Sequence, residues 1–161
     1  MKTRIISAFP GTGKSFFHKQ NPETTLDSDS SEFSWTYENG VKQRHPDWPE
    51  NYLDHIKENI GDYKFIFVSS HAEVRKLLVD NCLFFYWINP IPERKEEFIQ
   101  RYKERGNDEG LKKLLEANWD NWMQQFYLDD GIGCKKVSMI LPNLSNELSH
   151  IIASEHGDVD E

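Results

Sequence analysis

Ala8-Phe9-Pro10-Gly11-Thr12-Gly13-Lys14-Ser15 follows a short apolar run, Arg4-Ile5-Ile6-Ser7, and precedes Phe16-Phe17-His18-Lys19. The order reads as strand, glycine-bearing loop, helix start. Gly11 and Gly13 let the backbone curl and turn its N–H groups inward, where they suit a phosphate. A helix beginning near Gly13 adds the positive end of its dipole at the same point. Lys14 brings a full positive charge, and the Ser15 hydroxyl is a hard oxygen ligand suited to Mg²⁺. Gly11, Thr12, Gly13, Lys14, Ser15 and Phe16 are the expected phosphate-binding residues. A plain surface turn would explain Gly-Lys-Ser alone, but not its place between an apolar strand and a helix.

Outward from this loop, the same alternation repeats. The first strand covers residues 3–9 and the first helix about 13–20, ending before Asn21-Pro22. Thr24-Thr25-Leu26 reads as a second strand, leading into Asp27-Ser28-Asp29-Ser30-Ser31. Residues 32–47 show no clear period and read as a loop-rich excursion. Asp47 is the expected N-cap of a helix to about Asn59, with Pro49 early in it. Tyr63–Ser70 is a strand of β-branched and aromatic residues, followed by a helix from Ala72 to about Asp80 capped by Ser69 or Ser70. Cys82–Ile88 is another apolar strand. Helices follow over about 93–105 and 109–127, the second with Leu111, Leu114, Leu115, Trp119, Trp122 and Phe126 on one face. Lys136–Leu141 is the last strand, and a helix over about 144–153 closes the domain. Residues 155–161 read as a disordered acidic tail. Strands apolar on both faces, alternating five times with helices, predict an α/β domain: a five-stranded parallel sheet covered on both sides. Such sheets bind ligands beyond the carboxyl ends of their strands.

Composition narrows the function. The chain of 161 residues carries ten Phe, six Tyr and five Trp, enough for one well-filled core. Its net charge of −8 argues against broad binding to nucleic-acid backbone but leaves room for a small polyanion in a local basic pocket. No run is long enough to span a membrane, no leader is read at the start, and Cys82 and Cys134 match no metal spacing. Together these give the expectation of a cytoplasmic protein. The scattered histidines make no zinc pattern.

Four further groups of residues are candidates for chemistry. Asp27 and Asp29 alternate at the end of the second strand, so both point to one side beside the glycine loop. Asp27 with Ser15 could hold Mg²⁺ and Asp29 could orient an attacking group; an Asx turn in a serine-rich loop is the plainer explanation. Arg101 and Arg105 share a helix face and could clamp a transferring phosphate, with Gly106 as a hinge; the interleaved Glu93, Glu96, Glu97 and Glu104 could equally pair with them. Residues 30–60 mix aromatic and basic groups suited to a flat ring plus a phosphate, and core packing would account for some of them. Of these, Ser30, Phe33, Arg44 and Tyr52 are the expected substrate contacts, joined by Ser69 and His71 at the end of the third parallel strand. His71 could also be a capping or packed histidine. Trp119 and Trp122 are read as core.

With these residues in view, the chain resembles the small P-loop kinases, the group of nucleoside monophosphate, shikimate and gluconate kinases. The resemblance rests on Phe9–Ser15, on Asp27-Ser28-Asp29 after the second strand, and on Pro92-Glu93 leading to Arg101 and Arg105. It also resembles small phage-borne nucleotide kinases. Ala8 stands where the first glycine of the P-loop usually is. No Walker B aspartate ends the strand at Val68-Ser69-Ser70-His71, which speaks against hydrolysis-driven motors and GTPases. No Asp-Gly-Phe-Pro-Arg segment follows it, unlike adenylate kinases. The resemblance implies a three-layer P-loop NTPase fold over residues 1–154, an acceptor-binding part at 30–60 and a lid at 92–118. It further implies ATP and Mg²⁺ as cofactors and γ-phosphoryl transfer to a small acceptor, with Lys14, Asp29, Arg101 and Arg105 as the catalytic set. A nucleoside or deoxynucleoside monophosphate is the leading acceptor. A hydroxyl-bearing metabolite or polynucleotide 5′ end, or a binding module without turnover, are the alternatives.

Overall fold

The computed structural model describes residues 1–106 and 109–159. The elements run β1 (Arg4–Ala8), α1 (Lys14–Gln20), β2 (Thr25–Asp27), α2 (Ser31–Ser34), β3 (Trp35–Glu38), β4 (Val41–Arg44), α3 (Glu50–Asn59), β5 (Phe65–Val68) and α4 (Ala72–Asp80). There follow β6 (Phe85–Pro90), a 3₁₀ turn at Pro92–Arg94, α5 (Lys95–Glu104), α6 (Glu109–Leu128), β7 (Cys134–Met139) and α7 (Leu144–Val159). Five strands form one parallel sheet in the order β2-β5-β1-β6-β7, and β3 and β4 form a separate antiparallel pair.

The central strands are buried on both faces, as their unbroken apolar runs require. Alternate residues feed two cores. Ile6, Phe67, Tyr86 and Ile88 face Phe17 of α1, Phe98 of α5 and Leu144, Leu148 and Ile151 of α7. Ile5, Ile66, Val68 and Trp87 face Tyr52, Leu53 and Ile56 of α3 and Val74, Leu77 and Leu78 of α4. Helix α6 belongs to both: Leu115, Trp119 and Met123 enter the first core and Phe126 the second. The sheet is therefore covered on both sides by helices.

Strand order positions the site. From β1 the chain passes through α1 to β2, on the far side of β5; from β5 it passes through α4 to β6, on the opposite side of β1. The loops leaving the adjacent strands β1 and β5 thus diverge, and a crevice opens between them at the carboxyl edge.

Several local expectations are corrected. Residues 35–44 are a hairpin, closed by Asn39 at φ 52° and Gly40 at φ 77°, a pair of left-handed residues that suits a two-residue hairpin turn. Asp47 does not cap α3 with its side chain; Pro49 holds the N-cap position after a cis Trp48–Pro49 bond. Neither Ser69 nor Ser70 caps α4, where His71 is the N-cap residue. Leu114 is exposed and leaves the apolar stripe of α6 to Met123. Helix α7 continues to Val159, so the described part of the expected disordered tail is helical. Glu155 bonds there to Arg4, with Arg4 Nε at 2.8 Å, and also to Tyr86. No helix among the described residues is long and apolar enough to cross a membrane.

Candidate active site

The glycine loop bends where the sequence demands it. Ala8 is the last residue of β1, fully buried and extended within the strand, so no glycine is needed there. The left-handed positions are Gly11 at φ 86° and Gly13 at φ 108°. A Cβ on Gly11 would also stand 3.2 Å from Tyr102 Cε2, so only glycine lets α5 pack this closely. Gly13 is the N-cap of α1, and its carbonyl accepts from Phe17 N at 2.9 Å.

The crevice beside this loop is a cavity of about 280 Å³. Pro10, Lys14 and Ser15 line one side, Asp27, Ser28 and Asp29 another, and Ser69, Ser70 and His71 the third. Ser15 Oγ donates to Asp27 Oδ2 at 3.2 Å, joining the two expected metal ligands. Lys14 is half-buried with Nζ on Ala8 O at 2.9 Å. Burial lowers its pKa below the ordinary lysine value; the nearby Asp27 and Asp29 charges oppose that shift and Arg105 adds to it. Asp29 lines the crevice while Oδ1 accepts from Ser31 N at 2.9 Å, so the Asx turn and the chemical placement coexist.

These residues are of the kinds that would hold a phosphate and Mg²⁺. Thr12 Oγ1 in the loop and Ser28 Oγ in the crevice wall are buried without a hydrogen-bond partner among the described residues. Among those residues no cluster of three His, Cys, Asp or Glu side chains could hold a metal alone. A hydroxyl plus one carboxylate is nevertheless the sparse protein set that Mg²⁺ takes when phosphate oxygens and water complete its shell.

The remaining expected residues separate. Ser30, Trp35, Arg44, Trp48 and Glu73 line a polar lobe of about 370 Å³ that shares Asp29, Ser69 and His71 with the crevice. Arg44 stacks over Trp35 at 4.4 Å, its cross-strand partner in the hairpin, and Trp48 Nε1 donates to Glu73 Oε1 at 2.8 Å. Ser69 and His71 lie at the rim as expected.

Phe33 and Tyr52 do not line this lobe. Phe33 packs on His55 and Tyr52, ring centres 4.6 and 5.3 Å away. Tyr52 is fully buried and its hydroxyl donates to Ser28 O at 2.9 Å, supporting the Asp27–Asp29 segment from beneath. Burial raises its pKa to about 12. Phe16 is 65 % exposed on α1 and is not a wall of the crevice.

The arginine clamp also differs from expectation. Arg101 donates through Nη1 to Gly11 O at 2.8 Å and through Nη2 to Pro142 O at 2.7 Å, so it holds the loop from outside. Its helix is anchored by the buried Phe98, Ile99 and Tyr102. Glu97 pairs with Arg94 at 2.5 Å and lies 3.8 Å from Arg101, so part of the plain ion-pair explanation holds. Arg105 is exposed at the end of α5, near enough for its charge to bear on Lys14. Gly106 has φ 72°, and residues 107 and 108 of the expected lid lie outside the described residues.

Sequence reasoning missed a second lobe. Phe9, Arg75, Trp87, Asn89, Trp122 and Gln125 surround about 180 Å³ on the other side of the 69–71 loop. The signal was the alternation Trp87-Ile88-Asn89, which sends Trp87 and Asn89 to one face of β6. No protein-family model and no curated protein matches the chain.

Proposed function

We propose that this chain is an ATP-dependent phosphotransferase of P-loop type, moving the γ-phosphoryl group to a small acceptor, a nucleoside monophosphate. The observation that carries the reading is the Ser15–Asp27 contact of 3.2 Å in a crevice that also holds Lys14 and Asp29 beside two left-handed glycines. Lys14 and the loop N–H groups would neutralise the phosphate oxygens as charge moves toward the leaving diphosphate. Ser15 and Asp27 would hold Mg²⁺, which supplies charge neutralisation between the phosphates. Asp29 would orient the acceptor by accepting from one of its hydroxyls, His71 would face its reacting oxygen, and Arg44 with the hydroxyls of the polar lobe would take the acceptor's own anionic group. Arg105, whose charge bears on Lys14, would neutralise the transferring group; Arg101 fixes the loop.

Asp29 also supports a second reading, a hydroxyl acceptor whose proton passes to that carboxylate as its oxygen attacks phosphorus. Formation of ADP, measured with monophosphates and with hydroxyl compounds in parallel, separates the two. Lys14→Met should abolish ADP formation with any acceptor while leaving the circular-dichroism spectrum and melting cooperativity unchanged. Normal turnover by that variant would overturn the proposal. ATP-induced thermal stabilisation with no ADP from any acceptor would mean a binding module instead.

A further inference from the structure

The second lobe has the size and walls of a seat for one aromatic ring. Its volume of about 180 Å³ compares with the roughly 150 Å³ cavity that binds benzene, so it matches one six-membered ring with small substituents. The walls are flat. Trp87 is covered at 3.7 Å by the Arg75 guanidinium, whose Nη1 donates to Ser70 O at 2.9 Å, and Phe9 and Trp122 meet edge to face with ring centres 6.0 Å apart. The polar groups are few. Asn89 is 3 % exposed, and among the described residues its side-chain amide meets only the Met123 sulfur, at 3.7 Å. An amide both donates and accepts, and this one lines the lobe, where the edge of a ligand ring can meet it. Gln125 adds a second amide at the exposed mouth.

The lobe opens toward the phosphate crevice, with which it shares Pro10, Ser70 and His71; His71 also borders the polar lobe. We propose that this lobe seats the base of a pyrimidine nucleotide, its phosphate directed past His71 toward Arg44. This deepens the phosphotransferase reading by naming the acceptor class, and rests on that reading for the role of the bound nucleotide though not for its binding.

Calorimetric titration of the whole chain with cytidine, uridine and thymidine monophosphates, against adenosine and guanosine monophosphates, tests it without turnover. Pyrimidines should bind about tenfold or more tightly than purines, the scale at which pocket size discriminates. Gln125→Trp grows a bulky ring from an exposed helix position into the lobe. It should weaken pyrimidine binding by a similar factor and leave ATP binding unchanged. Asn89→Ala, with its fold checked by melting, should weaken pyrimidine binding likewise. Purines binding equally well, pyrimidine affinity indifferent to Gln125→Trp, or no monophosphate bound at all would overturn the seat. Failure of ATP to bind, with the pyrimidine results as expected, would overturn the phosphotransferase reading and leave the seat standing.

Discussion

Tyr52 shows how one side chain can serve the crevice without touching it. Its hydroxyl supports Ser28 O, and burial lifts its pKa from 10.0 to about 12. The folded state therefore favours the neutral phenol. That contribution is complete below pH 10 and disappears as pH rises through about 12. Tyr52→Phe should cost about 1 kcal/mol at neutral pH, the net worth of one hydrogen bond, and should flatten the fall of chemical-denaturation stability above pH 10. Gly11 is constrained twice, by its φ of 86° and by Tyr102 at 3.2 Å from any added Cβ. Gly11→Ala should destabilise by about 1–3 kcal/mol in thermal melts and weaken ATP binding with it. Gly11, Lys14 and Ser15 are legible from sequence because a bent backbone and a fixed charge need those residue types. Tyr52 is not, because an aromatic residue in a mixed segment has the same letter whether it faces a cleft or a core.

At the level of elements, the five parallel strands are legible because burial on both faces leaves no polar alternation in their sequences. The hairpin is not, although Asn39-Gly40 is a strong local signal for it; the short, exposed β4 lacks the apolar pattern that would frame that turn. A Cβ added at Gly40 would meet nothing within 4 Å, so a substitution there acts through the backbone alone. Gly40→Val should cost about 1 kcal/mol and disturb the Trp35–Arg44 pair, lowering acceptor affinity more than ATP affinity in paired titrations. Helix α5 reads in sequence as a mobile cover with both arginines turned to phosphate. Its spacing locates Arg101 on one face but cannot say that Gly11 and Pro142 present carbonyls to it. The second lobe is illegible for a related reason. Its walls come from β6, α4 and α6, and only the strand order brings them together.

Across the whole molecule, the two ends of the chain are joined: Glu155 on α7 bonds to Arg4 on β1, to Lys2 and to Tyr86. The run of acidic residues hides this, since a charge cluster reads as solvated until a basic partner from the other terminus meets it. Hydrogen bonding to Arg4 and Lys2 holds the Glu155 carboxyl below its usual 4.5. Its stabilisation is present above pH 4.5 and is lost as pH falls through the lowered value. Glu155→Gln should cost about 1–2 kcal/mol at pH 7 and show a shallower acid-side decline in melting temperature. Arg101 acts in the same way at the other end of the sheet, tying the loop after β1 to the turn before α7. A cradle strapped from behind is set during folding. If the loop takes phosphate as proposed, an arriving anion would meet a backbone already shaped, and only side chains such as Lys14, now bonded to Ala8 O, would have to turn.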